Sequence, residues 1–267
     1  MEHRISIITI TYNSAKTIEE TILSVINQNY SNLEYIIIDG KSTDDTLNII
    51  NKYKTKINKI ISEPDKGISD AFNKGIREAT GEIIGIINSD DMLNTDVLNK
   101  INDIVNAYPN NDIYYGNGII FDKESNYIYK PIYKIENILK YMFICHPSTF
   151  ERKTAYEKYG DFNINYKCSM DFELLSRMYI KGAKFKYFDY ECALFRRGGT
   201  SWKTFDVTME ESTQIAIRNG IEPKEAKKYY KKIKIKQRII QLTKKLNLEI
   251  ILRNLVKKQY KFNGKRW

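Results

Sequence analysis

The chain has 267 residues, with 43 Lys and Arg against 33 Asp and Glu, a net charge of +10. That length holds one large or two small domains and buries enough surface to need no covalent staple. Cys145, Cys168 and Cys192 are odd in number and 23 and 24 residues apart, suggesting neither a disulfide framework nor a CxxC clip but a reducing compartment; with only His3 and His146 present, any metal is expected to be oxygen-ligated.

Met1 to Arg4 precede a short apolar run, Ile5 to Ile10, which turns polar at Thr11 without a small-residue cleavage pattern. The run reads as a first strand and not as a signal peptide. No stretch of about 18 apolar residues offers a membrane span, so the expectation is a cytoplasmic protein, soluble or peripheral. Ser14 can cap a helix whose stripe is Ile18, Ile22, Val25 and Ile26. Tyr35 to Ile38 is a second strand ending in Asp39-Gly40, and Ser42 or Asp44 can cap a helix carrying Leu47 and Ile50. Ile57 to Ile61 is a weaker strand, Ile68 to Ala79 a helix, Glu82 to Ile87 a strand, and Asp96 to Ala107 a helix closed by Tyr108-Pro109. Such alternation predicts an α/β fold with a mostly parallel sheet covered on both faces.

In open α/β sheets ligands bind beyond the carboxyl ends of the strands. Three strand ends carry polar clusters: Thr11-Tyr12-Asn13, Asp39-Gly40-Lys41, and Asn88-Ser89-Asp90-Asp91. No GxGxxG or GxxxxGK[ST] sequence is present, so a metal with scattered side chains is expected to hold any phosphate. Adjacent Asp90 and Asp91 would repel each other at a buried strand end unless a cation compensated them, and a hard divalent ion escorting a diphosphate is the simplest compensation.

From about Ile113 the chain becomes Tyr-rich, with strand-like pieces at Ile113 to Tyr115, Ile119 to Phe121 and Tyr127 to Tyr129 that suggest a mixed edge or hairpin. Helical patterns follow around Lys134 to Tyr141 and from Met170 to Ile180, then a strand from Lys184 to Phe195. Beyond Asp206 the pattern is helical and basic. From Glu222 to Trp267 there are 16 Lys and Arg against Glu222, Glu225 and Glu249, a charge of +13, which leaves the first 221 residues at −3. The basicity belongs to the tail, which argues against a nucleic-acid groove through the body.

Ile7-Ile8-Thr9-Ile10-Thr11-Tyr12-Asn13, Ile38 to Thr46, Asn73-Lys74-Gly75-Ile76 and Ile87-Asn88-Ser89-Asp90-Asp91, in this order and spacing, resemble glycosyltransferase family 2 with its GT-A fold. The loop Glu63-Pro64-Asp65-Lys66-Gly67-Ile68 is similar to that of bacterial enzymes of surface-polysaccharide assembly, of O-antigen or capsule type. The resemblance covers about residues 4 to 202. It implies a catalytic unit at 1–205, with a nucleotide-binding half to about 112 and an acceptor half from 113, followed by a basic helical extension at 206–267.

The resemblance implies that Thr11, Tyr12 and Asn13 line a nucleotide pocket and that Asp39 accepts a hydrogen bond from a uracil ring. A carboxylate can read an imide N–H and a tyrosine offers a stacking face, although the same residues suit a capping turn and an Asx turn. Where the family has an acidic first residue in its Asp-x-Asp motif, this chain has Asn88. Asn88 and Ser89 are then expected beside the donor, Asp90 as the leading ligand of Mn2+ or Mg2+, and Asp91 as a second ligand or a helix cap. Phe72 stands where many members carry an Arg for the diphosphate, and it falls on the apolar stripe of Ile68, Ile76 and Ala79. Lys66 is the nearest cation, while Asp70 and Asn73 share a helix face that either meets the donor or is solvated. Asp171 stands at the place of the family's catalytic base, with Met170 before it and Glu173 in reserve, and it also suits a helix N-terminal charge. Arg196 and Arg197, beside Gly198-Gly199, match a loop that folds over diphosphate in relatives; His146 is read first as structural.

The Lys-rich, apolar 222–267 region suits an interfacial helix on an anionic membrane, near a lipid-linked acceptor, or a hairpin packed on the body or on a second copy. The expectation is thus an inverting, metal-dependent enzyme moving a sugar from a UDP-sugar to a lipid-linked or oligosaccharide acceptor at the inner face of the membrane, with no nucleic-acid partner. A nucleotidyltransferase would need a Gly-rich triphosphate loop, which is absent; a degenerate saccharide-binding scaffold is the reading that Asn88, Met170 and Phe72 favour.

Overall fold

The strands β1 (Ile5–Thr11), β2 (Leu33–Asp39) and β4 (Ile83–Asn88) are apolar on both faces, because each is buried on both. The computed structural model describes residues 1–121, 126–131, 133–196, 198 and 204–245. Its helices and strands also include α1 (Ile18–Ile26), α2 (Thr46–Lys52), β3 (Lys59–Ser62), α3 (Ile68–Glu78), β5 (Met92–Leu93) and α4 (Val97–Ala107). There follow β6 (Ile113–Phe121), β7 (Asn126–Tyr129), β8 (Thr149–Arg152), α5 (Lys153–Tyr159), α6 (Met170–Ile180), β9 (Phe185–Arg196), α7 (Phe205–Arg218) and α8 (Pro223–Lys245).

The described strands form one sheet in the order β3-β2-β1-β4-β8-β6-β9-β5, with β7 paired to β6. β1 to β4 are mutually parallel, β8 runs against both β4 and β6, and β9 lies parallel to β6. The parallel sheet expected over the first strands is therefore present, and the mixed half begins at β8. Alternating side chains split the core into two layers. Ile5, Ile7, Ile37, Ile83 and Ile87 join Ile22, Val97 and Ile101 on one side; Ile8, Ile36, Ile38, Ile84 and Ile86 join Phe72, Ile76, Tyr156 and Leu174 on the other. Each fully buried isoleucine contributes about 1.5–3 kcal/mol of burial. Gly75 lets α3 lie directly on β1, since a Cβ there would meet Ile8 Cγ2 at 2.3 Å.

Several local expectations are corrected. Ser14 does not cap α1: its carbonyl accepts from Thr17 and Ile18 N–H while its hydroxyl bonds the Ser89 hydroxyl at 2.8 Å, so α1 starts at Ile18. The third strand begins at Lys59, two residues late, and the segment from Lys134 forms a 3-10 turn, Ile135–Leu139. β5, β8 and α5 were not expected. A third small core, Phe172, Ile215, Ala216, Ala226 and Tyr230, fastens α7 and the start of α8 to α6. Residues 246–267 of the expected membrane tail lie outside the described residues.

Candidate active site

Register brings the predicted strand ends side by side: Thr11 pairs with Asp39, Ile10 with Asn88, and Asp39 with Ser62. Two turns cross above this rim. Asn13 and Lys41 both adopt left-handed backbone, with φ of 48° and 64°. Asn13 N–H donates to Ser42 Oγ at 2.8 Å, and Asn13 Oδ1 accepts from Thr43 N–H at 2.8 Å, so the turns after β1 and β2 hold each other. Asp39 is fully buried and accepts from Ser42 N–H at 3.0 Å, Ser42 Oγ at 2.5 Å and Ser62 Oγ at 2.6 Å. Ser42 thus anchors Asp39 instead of capping α2. Tyr12 is 61% exposed. A Cβ on Gly40 would meet Asp65 Oδ2 at 2.4 Å and Tyr12 Cδ2 at 3.5 Å, so the 63–67 loop and the tyrosine lie close over this strand end, and a larger residue would push the Asp65 carboxylate aside. Thr11 Oγ1 is buried without a partner in the structure.

At the end of β4 the chain turns through Asn88 to Asp91. Asp91 is 1% exposed; its Oδ1 accepts from Arg196 N–H at 3.0 Å and its Oδ2 from the Asn88 amide at 3.2 Å. Burial, reinforced by the neighbouring Asp90 carboxylate, pushes Asp91 up to about 8 in spite of those donors. This sealed group latches the turn to β9, while Asp90 beside it is half-buried. Ser89 is buried against Ser14.

The downstream half closes on this turn. Asp171, partly exposed in the first turn of α6, accepts from Phe172 N–H at 2.8 Å. Desolvation raises its carboxyl to about 6, with a smaller push from the Glu211 carboxylate. Between the two halves stands Cys145, whose thiol is raised to about 12 by burial and by the fields of both Asp91 and Asp171. Cys145 is thus within electrostatic reach of both Asp91 and Asp171.

Comparison with known proteins agrees. The family model described as "Glycosyl transferase family 2" matches residues 6–181. The chain belongs to glycosyltransferase family 2. A PGL/p-HBAD biosynthesis glycosyltransferase of Mycobacterium tuberculosis is 27% identical over 222 residues, 81% of this chain and 86% of its own. Chondroitin synthase of Escherichia coli is 28% identical over 226 residues, 82% of this chain but 32% of its own. Among solved structures, S. aureus TarS 1-349 in complex with UDP-GlcNAc superposes with a TM-score of 0.65 at 19% identity, over 84% of this chain and 69% of that one. The mannosyltransferase PcManGT of Pyrobaculum calidifontis, in complex with GDP-Man and Mn2+, gives 0.64 at 20% identity, over 86% and 70%. These likenesses show the GT-A fold, and the chain is a sugar-transferring enzyme of this family.

Against the family pattern, several expected residues have internal partners. Asn73 is buried, and its amide nitrogen and oxygen both bond the Phe162 backbone, at 2.8 and 2.9 Å, which ties α3 to the segment after α5. Asp70 accepts from Lys66 N–H at 3.0 Å and lies 3.7 Å from Lys74, which orders the 63–67 loop. The Lys66 side chain itself is exposed. Phe72 packs against Phe162 and His146, with ring centroids 4.9 and 5.4 Å apart. His146 is buried, and desolvation lowers it to about 4, so it is neutral. Glu173 is consumed by Arg177 at 3.0 Å and Arg218 at 2.7 Å and cannot stand in for Asp171. Arg196 is also engaged: Nε donates to the Asp90 carbonyl at 3.2 Å, Nη2 pairs with Glu20 at 2.5 Å, and the guanidinium stacks over Phe121. It fastens the acidic turn in place of waiting for a phosphate. Arg197 and Gly199 to Ser201 lie outside the described residues. Sequence reasoning missed Asp65, Cys145 and Glu211; only Asp65, inside a loop already noted, carried a signal.

Proposed function

We propose that this enzyme transfers a sugar, with inversion, from a UDP-sugar to a lipid-linked saccharide in cell-surface polysaccharide biosynthesis. The supporting observation is the registered rim of Thr11, Asp39, Ser62 and Asn88 at the carboxyl ends of the parallel strands, with Asp90 and Asp91 in the turn directly after Asn88. The relatives' names lend the substrate class. One is a teichuronic acid biosynthesis glycosyltransferase of Bacillus subtilis, 35% identical over 99 residues, or 36% of this chain.

Asp39 reads the uracil. Three of the roughly four acceptor sites of its carboxylate are filled by Ser42 and Ser62, which fixes the remaining one for the imide N–H. Tyr12 presents its ring for stacking on the base, Thr11 Oγ1 and the Asn88 amide meet the ribose, and Lys66 reaches the diphosphate.

The acidic turn fits a divalent cation. Among the described residues no three His, Cys, Asp or Glu form a metal cluster, so Asp90 would hold Mn2+ or Mg2+ together with ligand oxygens. Asp91, kept protonated by burial beside Asp90, marks a turn whose second charge is unfavourable without a cation. Such an ion, when bound, supplies positive charge to the departing diphosphate.

Asp171 takes the proton of the acceptor hydroxyl as its oxygen bonds the anomeric carbon from the side opposite the leaving group. The bond from that carbon to the phosphate oxygen breaks, UDP leaves and the anomeric configuration inverts. A carboxyl near 6 is ionised at neutral pH yet basic enough to accept the proton. Lys227, Lys228, Lys231 and Lys232, exposed on α8, face an anionic membrane surface where the lipid-linked acceptor lies. Among the described residues no helix is long and apolar enough to cross a membrane.

The test is UDP release from UDP-sugars with Mn2+ and a lipid-linked acceptor. Release that Asp171→Asn abolishes supports the reading. Inactivity of the wild type with every donor, or full activity of Asp171→Asn, refutes it.

A further inference from the structure

The family match ends at residue 181, and α7 lies beyond it. Yet α7 holds the entry to the helix that carries Asp171. Glu211 accepts three backbone N–H groups from one short segment: Lys167 at 2.8 Å through Oε1, then Cys168 at 3.0 Å and Ser169 at 2.9 Å through Oε2. α7 and its N-cap residue Thr204 add three further contacts. Ser169 Oγ lies 3.2 Å from the Thr208 carbonyl and 3.0 Å from Ser212 Oγ, and Cys168 Sγ lies 3.0 Å from Thr204 Oγ1. On the opposite side Ser69, in the first turn of α3, donates to the Tyr166 carbonyl at 3.2 Å. Residues 166–169 are thus gripped from both sides immediately before α6.

No side chain caps α6. A helix start leaves N–H groups without partners, and an external carboxylate that collects the donors just upstream fixes where the helix begins. Two residues after Ser169 stands Asp171.

We propose that Glu211 is the positioning residue of the catalytic base: from outside the family-matched region, it sets the start of α6 and the place and charge environment of Asp171. The inference rests on Asp171 being the base. Among the described residues, few groups act on Asp171. From α7 there is Glu211, and from the segment before β8 the Cys145 thiol. On α6 itself Glu173 is neutralised by Arg177 and Arg218. The hydroxyls of Tyr156 and Tyr159 on α5 bond Glu151 and Asp112 instead. Glu211 is therefore the one carboxylate among the described residues that both orders this segment and raises Asp171.

The test uses the full chain. UDP release is followed from pH 5 to 8 with whichever of UDP-glucose, UDP-galactose, UDP-GlcNAc and UDP-GalNAc the wild type turns over. Glu211→Gln removes the charge but leaves one accepting oxygen, and its acidic limb is expected at lower pH than that of the wild type, with donor KM unchanged. Glu211→Asp keeps the charge but loses reach. Its kcat is expected to fall on the order of 10²-fold, as a misplaced base would, with the acidic limb unmoved. An unmoved limb in Glu211→Gln, or a wild-type kcat in Glu211→Asp, overturns the proposal. The Asp variant decides the matter if the Gln variant does not fold. Asp171→Asn is run beside them: its full activity would overturn the base assignment, an outcome distinct from either failure of Glu211.

Discussion

Asp171 has to be ionised to accept a proton, and the structure sets where that ionisation falls. Desolvation at the start of α6 raises its carboxyl to about 6, well above an ordinary aspartate, and the Glu211 carboxylate adds to the rise. A group with that midpoint is about nine-tenths ionised at pH 7 and about one-tenth at pH 5, so kcat should fall roughly tenfold between them. An unperturbed aspartate near 3.9 would remain more than nine-tenths ionised at pH 5 and give a nearly flat profile. Replacing Asp171 by Asn should remove the acidic limb together with about 10²–10⁴-fold of the rate. The assay is UDP release at saturating donor and acceptor, with Mn2+ held in excess across the pH range. A rate constant down to pH 5 in the wild type, or an acidic limb that survives in Asp171→Asn, would refute the assignment.

Glu151 is completely buried in β8, one carboxylate oxygen lacks a partner, and desolvation lifts the group to about 7. Because its folded pKa lies above the unfolded one, its contribution to stability is undiminished below about 4.5 and is lost as pH rises towards 7, by on the order of 3 kcal/mol. Glu151→Gln should flatten that dependence in denaturant melts between pH 5 and 8, and a parallel slope in both proteins would count against it. Asn73→Ala leaves the Phe162 N–H and carbonyl unpaired; it should cost about 2–4 kcal/mol while leaving donor affinity unchanged, as seen by melting and titration with UDP. Changing Lys227, Lys228, Lys231 and Lys232 together to Gln should weaken binding to phosphatidylserine vesicles by about 1 kcal/mol per lysine and spare neutral vesicles. Deleting residues 222–267 is a poorer test, because Ala226 and Tyr230 belong to the core that holds α7 and α8 on α6.

The N-terminal half was legible because its signals are local. β1, β2 and β4 are unbroken apolar runs ending in polar residues, and α1, α3 and α4 carry one-sided stripes, so strand ends and their shared rim followed from period and fold rules. β8 and α5, of four and seven residues, are too short for periodicity to register, and β5 has two residues. Side-chain roles were less legible, because partners distant in the chain decide them. Asn73 meets Phe162, 89 residues on, and Arg196 meets Glu20, 176 residues away; in the sequence both looked like ligand contacts. Glu211 was one acid among several on an amphipathic helix until the fold put the 167–169 backbone against it. Asp90 already stood ahead of Asp91 as a ligand in the sequence, and the burial of Asp91 widens that difference.

The central claim is a UDP-sugar site with a divalent cation at Asp90, and a ligand that binds only the folded state reports it through the melting temperature. At a hundredfold excess over Kd the stabilisation is about 2.7 kcal/mol, roughly 5–10 °C for a chain of this size. UDP-sugars should give such a shift, larger with Mn2+ than without, while GDP- and dTDP-sugars should not, and Asp90→Asn should lose the increment due to the metal. Equal shifts with guanine and uracil donors, or a metal increment that survives in Asp90→Asn, would contradict the account.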